Sequence, residues 1–242
     1  MNGIMSRKGM AVAFGALAVA IAISGCDAGA DPEFGASVVS NAPDWVPIDP
    51  SVLRYQADRP RGRLWTLTPE GVELYDVATR QRVAQIALPD WVRASEKYSC
   101  SPDLAIGPRG EAVISSNVVA TLWRVDPVTL AASKHDLALD DDKGRDIGIT
   151  ALAFSAQQGA YFAVSAAHGS LWRIDPRLAR AQSIPLSAPL PKSCTLAISP
   201  REPDRRAIRA VGFCVRGEEG DWNVAFAPDQ RSGYVRPGQC TG

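Results

Sequence analysis

The sequence predicts an all-β domain built from repeated sets of short antiparallel strands. The phrase Leu-Trp-Arg-hydrophobic-Asp-Pro occurs at residues 122–127 and again at 171–176, which places the two copies 49 residues apart. Short apolar runs broken by turn residues fill the chain around these phrases, and no stretch has the period of a long amphipathic helix. A repeat of this length indicates a modular array, in which each unit buries its apolar face against its neighbours.

The array has four units, of which the last is degenerate, as terminal repeats often are. The first begins near Leu53, and a fainter copy of the phrase lies at residues 74–77. The predicted strands, unit by unit, are 64–68, 72–77 and 83–88; 104–107, 112–115, 120–126 and 131–137; 152–155, 161–164, 170–175 and 181–186; 194–200, 209–215, 222–226 and 234–235. Sets of four strands at a period of 44–50 residues are typical of propeller blades.

The repeated phrase resembles the third strand and the following turn of WD40- and YVTN-type repeats, over about residues 53–236. The glycine-histidine pair of WD40 repeats is absent, so that family is not assigned. The resemblance implies a β-propeller-like domain, with four blades of four antiparallel strands each. Five blades or a β-sandwich are the alternatives.

The first 25 residues have the features of an export signal. Arg7 and Lys8 precede the apolar run 10–23, which is short for a transmembrane helix of ~20 residues but fits a signal peptide. The sequence Ile-Ser-Gly-Cys that ends at Cys26 resembles the lipobox of bacterial lipoproteins. The resemblance implies cleavage before Cys26 and attachment of lipid, including palmitate, to Cys26, with several acyl chains anchoring the protein stably in a membrane.

Three segments follow from this interpretation: a lipoprotein signal peptide at 1–25, a lipid-anchored tether at 26–50 and the β-propeller-like domain at 51–242. The tether is rich in small and turn-forming residues, and ~20 flexible residues span ~25 Å. We expect the domain to face the periplasm of the bacterial cell envelope. Asp27 favours the inner membrane over the outer one, and that choice stays open.

Charge and composition exclude some partners. The chain has 26 basic and 26 acidic residues, and removal of 1–25 leaves 24 basic against 26 acidic. A nearly neutral protein lacks the electrostatic footprint of nucleic-acid binding. The membrane, through the lipid, and a protein of the cell envelope are the partners that we expect.

Four cysteines besides Cys26 indicate two disulfides in an oxidising compartment. Cys194 begins the first predicted strand of the fourth unit and Cys214 ends the second, so an antiparallel hairpin predicts the pairs Cys194–Cys214 and Cys100–Cys240. Cys100 and Cys194 occupy equivalent positions in their units, which makes a Cys100–Cys194 bridge across the channel the competing connectivity. The spacings match no zinc module.

Other candidate residues have ordinary structural interpretations. The acidic cluster 140–146 departs from the EF-hand calcium pattern and is interpreted as a solvated connection. His135 and His168 are interpreted as surface residues in an outer strand and a turn, and the arginine-rich tract 201–209 as a solvated hairpin tip. We expect four tryptophans to pack between blades: Trp65, Trp123, Trp172 and Trp222.

The sequence contains no P-loop, dinucleotide fingerprint, zinc protease helix or Cys-x-x-Cys motif. We therefore predict no catalytic residue, no metal site and no cofactor. The favoured function is a non-enzymatic binding or assembly scaffold in the cell envelope. The alternative is a propeller hydrolase of the lactonase type, with a divalent metal held by at least three Asp, Glu, Asn or His side chains in the central channel.

Overall fold

Four antiparallel sheets follow one another along the chain. The computed structural model describes residues 49–95, 100–140, 147–194, 196–201, 212–227 and 231–240, which belong to one compact unit. Each sheet contains four consecutive strands in sequence order, which confirms the predicted all-β fold of four four-stranded units. Within these ranges no helix has the length and apolar character needed to cross a membrane.

The strands have the following bounds. The first sheet contains β1 (Arg54–Asp58), β2 (Arg63–Thr68), β3 (Gly71–Asp76) and β4 (Arg82–Ile86), with a 3₁₀ turn at Arg59–Arg61. The second contains β5 (Leu104–Ile106), β6 (Ala112–Ser115), β7 (Thr121–Val125) and β8 (Ala132–Asp136). The third contains β9 (Ala138–Leu139), β10 (Ala151–Ser155), β11 (Ala160–Ser165), β12 (Ser170–Ile174) and β13 (Arg180–Ile184). The fourth contains β14 (Ala197–Arg201), β15 (Gly212–Gly217), β16 (Gly220–Phe226) and β17 (Gly233–Pro237).

Two strands have no counterpart among the predicted ones. Strand β1 is largely polar and lacks apolar alternation, and its pairing with β2 sets its conformation, with Tyr55 opposite Thr66. Strand β9 has two residues and pairs in parallel with the outer edge of β13, with Ala138 opposite Arg180. Such a strand covers an edge that would otherwise expose unpaired peptide groups.

Three apolar cores lie between consecutive sheets. Trp65 and Val72 of the first sheet pack with Leu104 and Trp123 of the second. The core between the second and third sheets includes Val113, Leu122, Tyr161 and Trp172. That between the third and fourth includes Phe162, Phe213, Val224 and Phe226. Each middle sheet buries both faces, as the modular array requires.

One edge of each sheet is formed by β1, β5, β10 and β14, respectively. These edge strands meet in order, with contacts between β1 and β5, β5 and β10, and β10 and β14. Over the described part of the chain, no apolar cluster joins the fourth sheet to the first. In the described ranges, apolar clusters thus form three interfaces, each between two consecutive sheets.

The tryptophans pack largely as expected. Trp65, Trp123 and Trp172 are fully buried, and Trp222 is partly buried at the edge of the third core. The strand register places Trp123, Trp172 and Trp222 at one equivalent position, at which the first sheet has Glu73. Trp65 lies on β2 opposite Leu74 and packs toward the second sheet, so it meets Trp123 in the first core from the other side.

The predicted disulfide pairing is wrong. The bridges are Cys100–Cys194, with a Cα–Cα distance of 4.5 Å, and Cys214–Cys240, with a Cα–Cα distance of 5.5 Å. Strand β14 begins at Ala197, three residues after Cys194, and Cys214 lies opposite Ser199. Because Cys194 precedes the hairpin instead of lying within it, it reaches Cys100, which precedes β5 in the second sheet.

The second bridge lies on the face of the fourth sheet that points away from the third. Phe213 and Val215 face the third core, so the intervening Cys214 points to the opposite face. There Asp221 accepts a hydrogen bond from the backbone N–H of Cys240 at 2.6 Å, and this bond holds the last residues beside β16. The bridge therefore ties the end of the chain to the fourth sheet.

Candidate functional site

Asp103 lies at the inner end of the second sheet and contacts the sheets on either side. One carboxylate oxygen accepts a hydrogen bond from the backbone N–H of Leu152 in β10 at 2.7 Å. The other lies 3.5 Å from Nε of Arg54 in β1 and accepts the N–H of Leu104 at 2.8 Å. Both charged side chains are nearly inaccessible to solvent, so this one carboxylate links three first strands.

The surroundings of Asp103 have opposing effects on its ionisation. Burial raises the pKa of the Asp103 carboxyl, whereas the Arg54 guanidinium and the two backbone N–H donors act to lower it. Ser115 supports the carboxylate from the next strand, since its Oγ accepts the backbone N–H of Asp103 at 2.8 Å and donates to the carbonyl of Ile149 at 2.8 Å. Asp103 therefore holds the sheets in place.

Neighbouring polar side chains hold the connection that leads into the second sheet. Asn117 accepts the N–H of Ala94 and donates to the carbonyls of Ala94 and Cys100. Ser116 Oγ donates to the carbonyl of Val92 at 2.6 Å. Asn117 and Ser116 are thus engaged in internal hydrogen bonds.

A metal centre of the kind that the hydrolase alternative requires is not formed by the described residues. The one cluster of three potential ligands among them is Cys214, Asp221 and Cys240. Because the two cysteines are joined in a disulfide, they offer no thiolate to a metal. Among the described residues, Asp103 belongs to no cluster of three potential metal ligands.

At the opposite end of the strands, the repeated phrase forms a turn that we call the Asp-Pro turn. It begins at Asp126 in the second sheet and at Asp175 in the third. The Asp126 carboxylate accepts the N–H groups of Val128 and Thr129, and these bonds lower the pKa of Asp126. Both turns contain a leucine with positive φ, Leu130 at 58° and Leu178 at 60°. The aspartates therefore satisfy turn N–H groups rather than face a ligand.

An arginine of one sheet donates a hydrogen bond to the Asp-Pro turn of the next. Arg63 of the first sheet reaches the carbonyl oxygen of Pro127 at 2.5 Å. Arg124 of the second sheet reaches the carbonyl oxygen of Pro176 at 2.6 Å. The second arginine belongs to the repeated phrase itself, so the phrase contributes a contact between units as well as a turn.

Arg173 is the arginine of the second phrase. Side chains alternate along β12: Leu171 packs toward the fourth sheet and Trp172 toward the second. Arg173 therefore points to the side of the fourth sheet. Its Nε is buried and has no hydrogen-bond partner.

Arg173 lies in a half-open groove of about 520 Å³, which we call the Arg173 groove. The lining includes the small residues Gly159 and Ala160, and Arg180 and Gln182 of β13. The covering strand β9 and Asp140 form another wall. The groove thus combines an open cavity with charged side chains of both signs, which is a feature of a recognition site.

The histidines lie where the sequence predicts. His135 is on the outer strand β8, and its Nε2 is 2.9 Å from Oγ of Ser133. Burial lowers the pKa of His135, and the Arg124 charge lowers it further. His168 is exposed in the turn between β11 and β12. Neither belongs to a cluster of potential metal ligands among the described residues.

Several predicted features lie outside the described residues. These are the signal peptide at 1–25, Cys26, nearly all of the tether at 26–50, residues 141–146 of the acidic cluster and residues 202–209 of the arginine tract. Asp140, the first residue of the acidic cluster, is described, and its Oδ1 accepts the N–H of Ser183 at 2.9 Å. That bond holds β9 against β13.

Comparisons with known proteins identify the fold and no family. No family model and no curated protein matches the sequence. Solved structures similar to this chain include hydrazine synthase from Kuenenia stuttgartiensis, with a TM-score of 0.55 and 11% identity over 78% of this chain and 50% of that one. A streptogramin B lyase matches with a TM-score of 0.51 and 12% identity over 79% and 55%.

A third match, a structural genomics protein of unknown function from Bacteroides thetaiotaomicron, has a TM-score of 0.50 and 13% identity, with coverage of 77% and 47%. This chain therefore spans about half the length of these structures. The neighbours are β-propeller-type proteins, and together with the four antiparallel sheets they confirm the predicted propeller-like fold. Their functions differ, so the likeness carries no activity to this chain.

Proposed function

We propose that this chain is a lipid-anchored protein of the bacterial cell envelope whose propeller-like domain binds a partner protein without catalysing a reaction. The lipobox-like sequence ending at Cys26 supports the anchor. The two disulfides support folding in an oxidising compartment such as the periplasm. The observation that carries the binding role is the Arg173 groove, an open cavity of about 520 Å³ lined by two arginines and two aspartates, Arg173, Arg180, Asp140 and Asp175.

The polar groups at the inner ends of the strands favour binding over catalysis. A general base or a metal ligand needs an oxygen or nitrogen that is free to meet the substrate or the ion. The oxygens of Asp103 instead contact Arg54 and two backbone N–H groups. Asp103 therefore stabilises the packing of the sheets, and the Arg173 groove is the surface that we assign to recognition.

The anchor is tested by metabolic labelling in a bacterial host. We expect radioactive palmitate to enter the wild-type protein, and Cys26→Ala to abolish the labelling and release the domain from the membrane fraction. Labelled Cys26→Ala protein would contradict lipid attachment at this residue.

The binding role is tested by site-specific photo-crosslinking in the same host. A benzophenone amino acid at Gln182 places the reactive group in the Arg173 groove. The control position is Ser133, because Ser133 pairs with Arg124 as Gln182 pairs with Arg173. We expect a discrete protein adduct from position 182 and none from 133, whereas equal or absent adducts would count against a binding site here.

Assays for lactone and ester hydrolysis test the rival function directly. Purified protein with added Ca²⁺, Mg²⁺, Mn²⁺ or Zn²⁺ is expected to show no turnover above the uncatalysed rate. Metal-dependent turnover that disappears in a variant of the protein would instead favour the hydrolase and overturn the binding role as the main function.

A further inference from the structure

We infer that the Cys100–Cys194 bridge is a site of thiol–disulfide exchange, at which a dithiol protein of the Cys-x-x-Cys class attacks Cys194. The inference goes beyond the proposed binding function and does not depend on the Arg173 groove. It follows from the unequal environments of the two bridges, because the rate of exchange depends on which sulfur a thiolate is able to reach.

The two cysteines of this bridge differ in exposure. Cys194 is exposed in the connection between β13 and β14. Cys100 is half-buried and packs against the core between the third and fourth sheets. Its carbonyl oxygen accepts a hydrogen bond from Nδ2 of Asn117. A thiolate approaches the attacked sulfur in line with the S–S bond, so Cys194 is open to attack from solvent, whereas the third core obstructs the approach to Cys100.

The Cys214–Cys240 bridge is better protected. Cys214 is only 5% exposed. Cys240 is half-buried, its backbone N–H donates to Oδ2 of Asp221 at 2.6 Å, and its carbonyl oxygen accepts a hydrogen bond from Nη2 of Arg216 at 3.2 Å. A thiolate therefore reaches this bridge after the end of the chain has detached from β16, and such local opening costs free energy. The second bridge is thus an internal control for the first.

The exchange is balanced with the dithiol protein as the reductant. One of its thiolates bonds to Sγ of Cys194, and the S–S bond breaks with its electron pair leaving on Sγ of Cys100, which takes up a proton. The second thiolate of the dithiol protein then attacks that protein's own sulfur in the mixed disulfide, and Sγ of Cys194 leaves and is protonated. The bridge has gained two electrons and two protons, and the dithiol protein has been oxidised to a disulfide.

The geometry of the bridge favours a dithiol over a monothiol. Asn117 and the third core hold Cys100 in place, and its Cα lies 4.5 Å from that of Cys194. After the first step, the Cys100 thiol stays beside the mixed disulfide at a high effective concentration and re-forms the bridge. A monothiol is expelled by this return reaction. A dithiol competes with it, because its second thiol is held equally close to the mixed disulfide.

Exchange at this bridge alters a connection between units. The segment that contains Cys100 leads into β5 of the second sheet, and the segment that contains Cys194 leads into β14 of the fourth. Reduction removes this covalent link across the third unit and leaves the apolar residues of the three cores unchanged. We therefore expect the reduced domain to stay folded while its fourth unit is held less firmly.

Thiol mapping after partial reduction tests the inference. The full chain in detergent micelles is incubated with reduced thioredoxin, thiols are alkylated at successive times, and mass spectrometry of peptides identifies the labelled cysteines. We expect Cys100 and Cys194 to be labelled at least about tenfold faster than Cys214 and Cys240, because the second bridge requires local opening. Equal rates, or faster labelling of the second bridge, would overturn the inference.

Two further probes identify the attacked sulfur and the class of the reductant. A thioredoxin variant that lacks its second active-site cysteine should accumulate as a mixed disulfide with Cys194, and accumulation on Cys100 would overturn the assigned direction of attack. Reduced glutathione at the same thiol concentration should leave the bridge closed. A stable adduct of glutathione with Cys194 would identify a monothiol as sufficient and overturn the dithiol class.

Asp221→Ala is the matched variant. It removes the hydrogen bond to the N–H of Cys240 and should accelerate labelling of Cys214 and Cys240 at least about threefold, while labelling of Cys100 and Cys194 stays as in the wild type. Circular dichroism before reduction establishes that the variant is folded. In denaturing urea the wild-type bridges should be reduced at similar rates, and a difference that persists there would place its cause in local sequence and overturn the inference.

Discussion

Asp103 shows how much of the array depends on a single side chain. It is buried, it contacts Arg54, and it accepts backbone N–H bonds from the second and third sheets. Removing one partner from a buried ion pair leaves the other charge without compensation, which is more costly than the net contribution of the pair.

We predict that Asp103→Ala lowers the free energy of unfolding by about 3–5 kcal/mol. Urea denaturation at pH 7 measures the change. The double variant Arg54→Met/Asp103→Leu removes both charges and should recover most of the loss. A loss below about 1 kcal/mol in Asp103→Ala would show that the carboxylate does not hold the sheets together.

His135 provides a prediction of pH dependence. Burial and the nearby Arg124 lower its pKa from the ordinary value of 6.5. The native state therefore binds fewer protons than the unfolded state, so the stability from this group is present above pH 6.5 and is lost as the pH falls through the native pKa. A ¹H NMR titration should give a native pKa below 6.5, and Arg124→Gln should raise it. A native value at or above 6.5 would contradict this environment.

Some residue roles are readable from the sequence and others are not. The tryptophans of the repeated phrase are predictable as packing residues because their positions recur with the strand pattern. Asp103 gives no such signal, since a lone aspartate before a short strand is equally typical of a solvated loop. Its role depends on the meeting of β1, β5 and β10, which is a tertiary event.

At the scale of elements, the disulfides connect segments that are distant in sequence. Cys100–Cys194 spans 94 residues and Cys214–Cys240 spans 26. In the chain-entropy treatment these loops correspond to about 4.7 and about 3.5 kcal/mol of stabilisation. The first bridge also joins segments that lead into different sheets, whereas the second remains on the fourth.

We predict that Cys100→Ser/Cys194→Ser lowers the thermal midpoint more than Cys214→Ser/Cys240→Ser does. The physical reason is that the longer loop regains more conformational entropy in the unfolded chain. Differential scanning calorimetry of the two double variants measures the difference. A larger effect of the shorter loop would contradict this ranking, and non-reducing peptide mapping of the wild type tests the connectivity itself.

Strands and turns were predictable where side-chain alternation and turn residues occur together. The exceptions are instructive. Strand β1 is polar and has no apolar alternation, so its conformation is determined by its pairing with β2. Strand β9 is too short to have a pattern at all. The arginine contacts to Pro127 and Pro176 likewise join units that only the fold brings together.

At the scale of the whole molecule, stability resides in three cores between four sheets. Trp172 is fully buried in the middle core, whereas Trp222 is only partly buried at the edge of the third core. The middle core lies between the second and third sheets, so a defect there weakens the array from both sides.

We predict that Trp172→Ala lowers the free energy of unfolding by about 3–5 kcal/mol, the range for a large aromatic residue removed from a core. Trp222→Ala should lower it by less than half as much, because part of its surface is already in contact with water. Chemical denaturation followed by circular dichroism measures both. Equal losses would show that the two positions are buried to the same extent in solution.

The sequence by itself determined the all-β class, the four units and the positions of most strands, because these follow from local alternation, turn chemistry and a repeat that recurs along the chain. Only the tertiary structure decided the disulfide partners, the link through Asp103 and the groove at Arg173. Each depends on which units lie side by side and in which register. The groove at Arg173, for example, includes residues of β9 that reach it only through the pairing of β9 with the outer edge of β13.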